Sequence, residues 1–132
     1  MQPFEQAHAL RVFHKLVNEG YTQPDLLAAA LLHDVGKVRS PLKPLERAVA
    51  VLAKKLSPSI SEIIGQGRPR GWNTGIVVAE QHAAWGSEMA AAAGASSLTV
   101  ELIARHQDED LSGLSEEIQE YLAALQRVDK VS

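Results

Sequence analysis

Apolar positions recur along the chain at helical spacing, and nowhere with the alternation expected of strands. The clearest case is LERAVAVLAKKL, where Leu45, Val49, Leu52 and Leu56 fall on one stripe. That is the pattern of an amphipathic helix, expected to be structural. A first helix is expected from about Phe4 to Glu19, because Pro3 suits a helix start and Gly20 a stop. Pro24 opens a second, expected to run to about Val35 and to be closed by Gly36 in the left-handed conformation that helix ends favour. A short helix is expected from Pro58 to Ile64, then an irregular loop rich in Gly and Pro that carries Arg68, Arg70 and Trp72. Helical spacing resumes from about Thr74 to Ala93, with Gly94 as its stop. Another helix begins near Ser96 or Ser97, either of which suits a cap, and a last runs from about Leu114 to Val128. The fold class this predicts is all-α, a bundle of about six to seven helices.

The 132 residues suit one domain spanning 1–132, long enough to enclose a single core. The thirteen Lys and Arg are scattered and the net charge is -3, so a nucleic-acid duplex is not the expected partner. Cysteine is absent, which fits a reducing compartment and leaves His, Asp and Glu as the candidate metal ligands. No basic leader with a long apolar run and no 18-residue uncharged apolar stretch occurs. A cytoplasmic protein with no membrane partner is the expectation. The alanine-rich MAAAAGA segment permits close helix packing, within one chain or between two.

The polar residues inside these apolar patterns carry the chemistry. His33 and Asp34 end the run LLAAALLHD. His8 lies one turn after Phe4 and one before Val12, on a helix expected to be apolar nearly all round and central. His82 shares a stripe with Trp85 and Met89, His106 with Leu102 and Ile103, and Asp129 with Leu122 and Leu125. Each is therefore expected to point into the core. Burying a neutral polar group without a partner costs roughly 2–7 kcal/mol, and a charge more. Any one of these residues alone reads most simply as a hydrogen-bonded core or surface group. Six of them on five separate helices, all facing inward, call for a shared partner, most simply a divalent cation. His14 lies about 240° round its helix from His8 at ~100° per residue and reads as structural. Trp72 and Trp85 are expected to pack, and Asp108 to Asp110 to form a solvated acidic turn.

With these residues in view, the chain resembles the HD-domain superfamily of metal-dependent phosphohydrolases. The resemblance is carried by HALRV at His8, DLLAAALLHDVGK at His33 and Asp34, EQHAAWGSEMAAAAG at His82, VELIARHQDE at His106 and LQRVDKVS at Asp129. It implies that His8, His33, Asp34 and Asp129 hold one metal. His82 and His106 would hold a second, bridged by Asp34. One or two divalent ions are thus implied, drawn from Mn, Fe, Mg, Ni or Zn. The implied activity is hydrolysis of a nucleotide or other small phosphate ester. By position, Lys37 and Arg39 just after the metal pair, and Lys15 seven residues after His8 on nearly the same side of its helix, are the expected substrate-binding cations, with Asp34 and Lys37 the expected catalytic residues. The Gly-Tyr-Pro extension of cyclic-di-GMP phosphodiesterases in this superfamily is missing. A di-iron oxygenase of the same fold, or a metal-stabilised nucleotide-binding module, are the alternatives.

Overall fold

The computed structural model describes residues 1–132 and is entirely helical, with seven α-helices in one domain. They are α1 (Pro3–Asn18), α2 (Pro24–Leu32), α3 (Pro44–Leu56), α4 (Pro58–Gly65), α5 (Thr74–Ala92), α6 (Ser97–Arg105) and α7 (Glu116–Lys130). A 3₁₀ turn over Val35–Arg39 follows α2. Proline at the start of each of the first four helices sets φ where no amide donor is needed. Serine starts the last two: the Ser96 and Ser115 hydroxyls accept from the Thr99 and Ile118 amides. Gly20 and Gly94, both at positive φ, close α1 and α5 as the sequence predicts.

The main core lies where α1, α2, α6 and α7 meet. Val12, Leu16, Leu26, Leu102, Leu122 and Leu125 are fully enclosed there. Helix α5 connects this core to the rest of the molecule, packing against α6, α3, α4 and the 3₁₀ turn. Its first turns are buried all round, from Thr74 to Val78, and farther along it buries His82, Ala83, Gly86 and Ala90. Two expectations about helix faces are corrected. Helix α1 is not apolar all round: Leu10, Arg11, His14 and Val17 are exposed, and only Glu5, Ala9, Val12 and Leu16 are buried. The α3 stripe does not pack on the core. Leu45 is 76% exposed, Leu52 58% and Leu56 83%, whereas the face that meets α5 carries Ala50, and Gly75 of α5 packs directly on the Glu46 carbonyl. Small residues win that face because α3 and α5 approach almost backbone to backbone. Trp72, expected to pack, is also exposed.

A further correction concerns Gly36. Helix α2 ends at Leu32, short of Val35, and Gly36 lies inside the 3₁₀ turn without a positive φ. Its glycine serves close approach: a Cβ there would stand 1.9 Å from the His82 carbonyl oxygen and 2.6 Å from the Gly86 amide nitrogen. The turn that carries Asp34 is thereby pressed onto α5 at the level of His82.

Candidate metal centre

Three local events deliver the buried histidines. His33 follows the last residue of α2, His106 follows the last residue of α6, and His82 sits mid-way along α5. In each ring Nδ1 donates to a carbonyl of the preceding turn: His33 to Ala30 at 2.8 Å, His82 to Val78 at 2.8 Å, and His106 to Ile103 at 2.7 Å. The neutral tautomer is thus fixed, with every Nε2 left as a lone pair aimed inward. His8, from α1, completes the set of four.

Asp34 leaves the helical path after His33 and turns its carboxylate between the rings. Its Oδ1 lies 3.1 Å from His82 Nε2 and 3.7 Å from His106 Nε2. Its Oδ2 lies 3.4 Å from His33 Nε2, 4.0 Å from His8 Nε2 and 3.1 Å from Lys37 Nζ. Asp129, near the end of α7, sets its Oδ1 2.6 Å from His8 Nε2 and 3.2 Å from His33 Nε2. The result is two adjoining groups, His8–His33–Asp129 and Asp34–His82–His106, each with its ligand atoms within 4.8 Å of one another.

These donors fit a cation. His82 Nε2 and His106 Nε2 face each other at 3.3 Å. Donors held about 2.0–2.2 Å from a shared ion stand roughly 3.0–3.6 Å apart, close to the spacing seen here. Two lone pairs and a carboxylate oxygen converging without an added proton or a cation would repel. Imidazole with carboxylate is a donor set suited to first-row divalent metals. In the metal-free protein, protons take part of that role. Burial disfavours charge on His33, but the hydrogen bond to Asp129 and the charges of Asp34 and Asp129 prevail and raise its pKa. Burial likewise opposes ionisation of Asp34. The facing His106 and His82 rings, with His33 and Lys37, nonetheless hold its carboxyl far below the usual carboxylate range. Asp129 is shifted down in the same way, chiefly by His33 working against burial.

A family model of the HD domain matches residues 7–132. The chain belongs to the HD-domain family. No curated protein and no solved structure matches it significantly. As an HD domain, the chain carries in its core a buried His/Asp cluster able to hold divalent metal, and no helix is long and apolar enough to cross a membrane.

A cleft of about 390 Å³ opens over this cluster, and His8, Asp34, Asp129 and Lys37 line it together with Arg11 and Arg47. The structure does not bring Lys15 or Arg39 into it. Lys15 Nζ donates instead to the Val131 carbonyl at 2.9 Å, and Arg39 pairs with Glu88 at 3.5 Å beside the Trp85 ring. His14 is exposed against Phe13, apart from the cluster.

Sequence reasoning missed Arg47 entirely. Its guanidinium donates to Glu5 Oε1 and Gln2 Oε1, each at 3.1 Å, and lies 4.1 Å from the centre of the Phe4 ring. The available signal was Glu5, an acid on the same side of α1 as His8 and Val12, where burial would demand a cationic partner. Arg11 was within reach too, three residues after His8 in HALRV.

Proposed function

We propose that this HD domain is a metal-dependent phosphohydrolase acting on a small phosphate ester or nucleotide. In this reading His8, His33, Asp34 and Asp129 hold one divalent ion, and His82 and His106 a second, with Asp34 shared. A divalent ion held there supplies a Lewis acid for phosphoryl charge and makes hydroxide available as a nucleophile near neutral pH. The observation that carries the reading is the position of Asp34, which presents one carboxylate oxygen to each group of histidines.

The chain's own groups suit an anionic substrate. Lys37, held 3.1 Å from Asp34 Oδ2, places an ammonium at the cleft floor, where a phosphoryl oxygen can pair with it. Arg11 adds a cation to the wall, and Arg47, paired with Glu5 that lines the same cleft, adds guanidinium N–H donors. The carbonyls of Ala30, Val78 and Ile103 keep the rings oriented, so little reorganisation is required during reaction. Hydrolysis breaks the ester P–O bond, adds water oxygen to phosphorus and returns the alcohol with a proton.

The test is metal analysis of the wild-type protein and Asp34→Asn, with phosphate release from p-nitrophenyl phosphate assayed on the same samples. One or two metals per chain in the wild type, lost in the variant together with metal-dependent phosphate release, is the expected outcome. Bound metal without release from any phosphate ester would refute the hydrolase assignment. Absence of metal after reconstitution would refute the centre itself.

A further inference from the structure

A second cavity adjoins the cleft and differs from it in chemistry. It measures about 310 Å³, and Lys37, Arg47 and Gln107 line both spaces. Beyond that shared polar end its walls are Leu42, Ala50, Val51, Gly75, Val78 and Ala79, with neither a carboxylate nor an aromatic ring among them. The lobe runs along α5 toward the metal cluster. Gly75 and Ala79 lie one turn apart on that helix, and His82, three residues on, closes the inner end. On the facing helix, Arg47 lines both spaces and so marks their shared end, while Ala50, three residues on, lines only the lobe. Glycine is needed at 75 because a Cβ there would stand 2.0 Å from the Glu46 carbonyl oxygen. The space therefore lies between two helices whose backbones nearly touch at one end and are separated by small side chains beyond.

We infer that the cleft is bipartite and selects phosphomonoesters whose alcohol part is a compact apolar group, seated between α3 and α5 while the phosphoryl group sits at the Lys37–Arg47 end. The inference rests on the phosphohydrolase reading for its chemistry, but its geometry belongs to these helices alone. The lobe is about twice the ~150 Å³ of a cavity that holds benzene, which sets the size at one or two fused rings or a short branched chain. A nucleobase fits less well. Its ring edge needs hydrogen-bond partners, and away from the shared end the walls offer none, so its polar atoms would be desolvated without return.

The experiment measures binding without turnover, by calorimetry on the metal-reconstituted protein. The probes are methylphosphonate, 1-naphthylmethylphosphonate and AMP, titrated into the wild type, Ala79→Leu and Val51→Asp. The first variant fills the lobe. The second puts a carboxylate on its half-exposed wall and keeps the packing, so it serves if Ala79→Leu fails to fold. Wild type is expected to bind the naphthyl probe at least tenfold more tightly than either of the others, and each folded variant to lose that preference while still binding methylphosphonate within threefold. Equal affinity for the naphthyl and methyl probes, tighter binding of AMP, or a naphthyl preference that survives in the variants would overturn the inference. Hydrolysis of p-nitrophenyl phosphate, assayed in parallel, separates the two ideas: turnover without size preference sinks the lobe alone, and size preference without turnover sinks the hydrolase reading alone.

Discussion

Replacing Gly36 by alanine tests whether the close contact between the 3₁₀ turn and α5 holds the cluster together. The new Cβ would lie 1.9 Å from the His82 carbonyl oxygen. A comfortable non-bonded separation of about 3.5 Å leaves a shortfall of roughly 1.6 Å. The opposing atoms are main chain within a helix that is buried on several sides, so the turn has to retreat rather than α5. Asp34 is two residues away and travels with it. A retreat of that size takes Asp34 Oδ1 out of reach of His82 Nε2, now 3.1 Å away, and leaves the His8–His33–Asp129 group intact. Overpacking of this kind costs about 1–3 kcal/mol, which for a domain of this size lowers Tm by roughly 3–15 °C. Calorimetric metal titration beside thermal denaturation is the assay. The expected result is a protein that folds, melts earlier and binds metal at least tenfold more weakly at the group containing His82 and His106. A Gly36→Ala protein with wild-type Tm and unchanged affinity at both groups would refute the reasoning.

Leu52→Ser on the exposed α3 stripe is expected to change stability by no more than about 0.5 kcal/mol, whereas Leu122→Ala, fully buried, should cost about 2–5 kcal/mol; urea denaturation compares them. Without metal, His33 has a raised folded-state pKa, so its contribution to stability is complete below about pH 6.5 and is lost as the pH rises through the folded value. The chelated protein should accordingly melt at a higher temperature at pH 6 than at pH 8, and a flat or inverted profile would contradict the His33–Asp129 pairing. Metal binding displaces those protons, so affinity should fall about tenfold per pH unit below neutrality for each proton displaced, measurable by titration at pH 6 and pH 7.

The pattern of apolar positions located all seven helices to within a few residues, because helix starts and stops are local matters of proline, serine and glycine. The boundaries that failed did so for tertiary reasons. A run as uniformly apolar as LLAAALL contains no signal that its helix stops at Leu32 rather than Val35. What ends it there is the need to turn Asp34 toward His82, a residue 48 positions away. Gly36 was legible as a special position but not as the right kind, since local sequence cannot distinguish a glycine that bends the chain from one that admits another backbone.

The cluster itself was legible because of an inconsistency: imidazoles and carboxylates stood where an apolar face required apolar side chains, and only a common location resolves several such misfits at once. The cleft wall lacked that signature. Arg47 sits on a helix whose stripe, read by periodicity, points Leu45, Val49, Leu52 and Leu56 inward, yet in the folded chain those leucines face out and the turn bearing Arg47 and Ala50 faces the cleft. Helix α3 obeys the fit between small residues on facing helices rather than its own amphipathicity. The face that α3 turns to α5 is therefore set by Gly75, which admits the Glu46 backbone as its neighbour, and not by the apolar stripe.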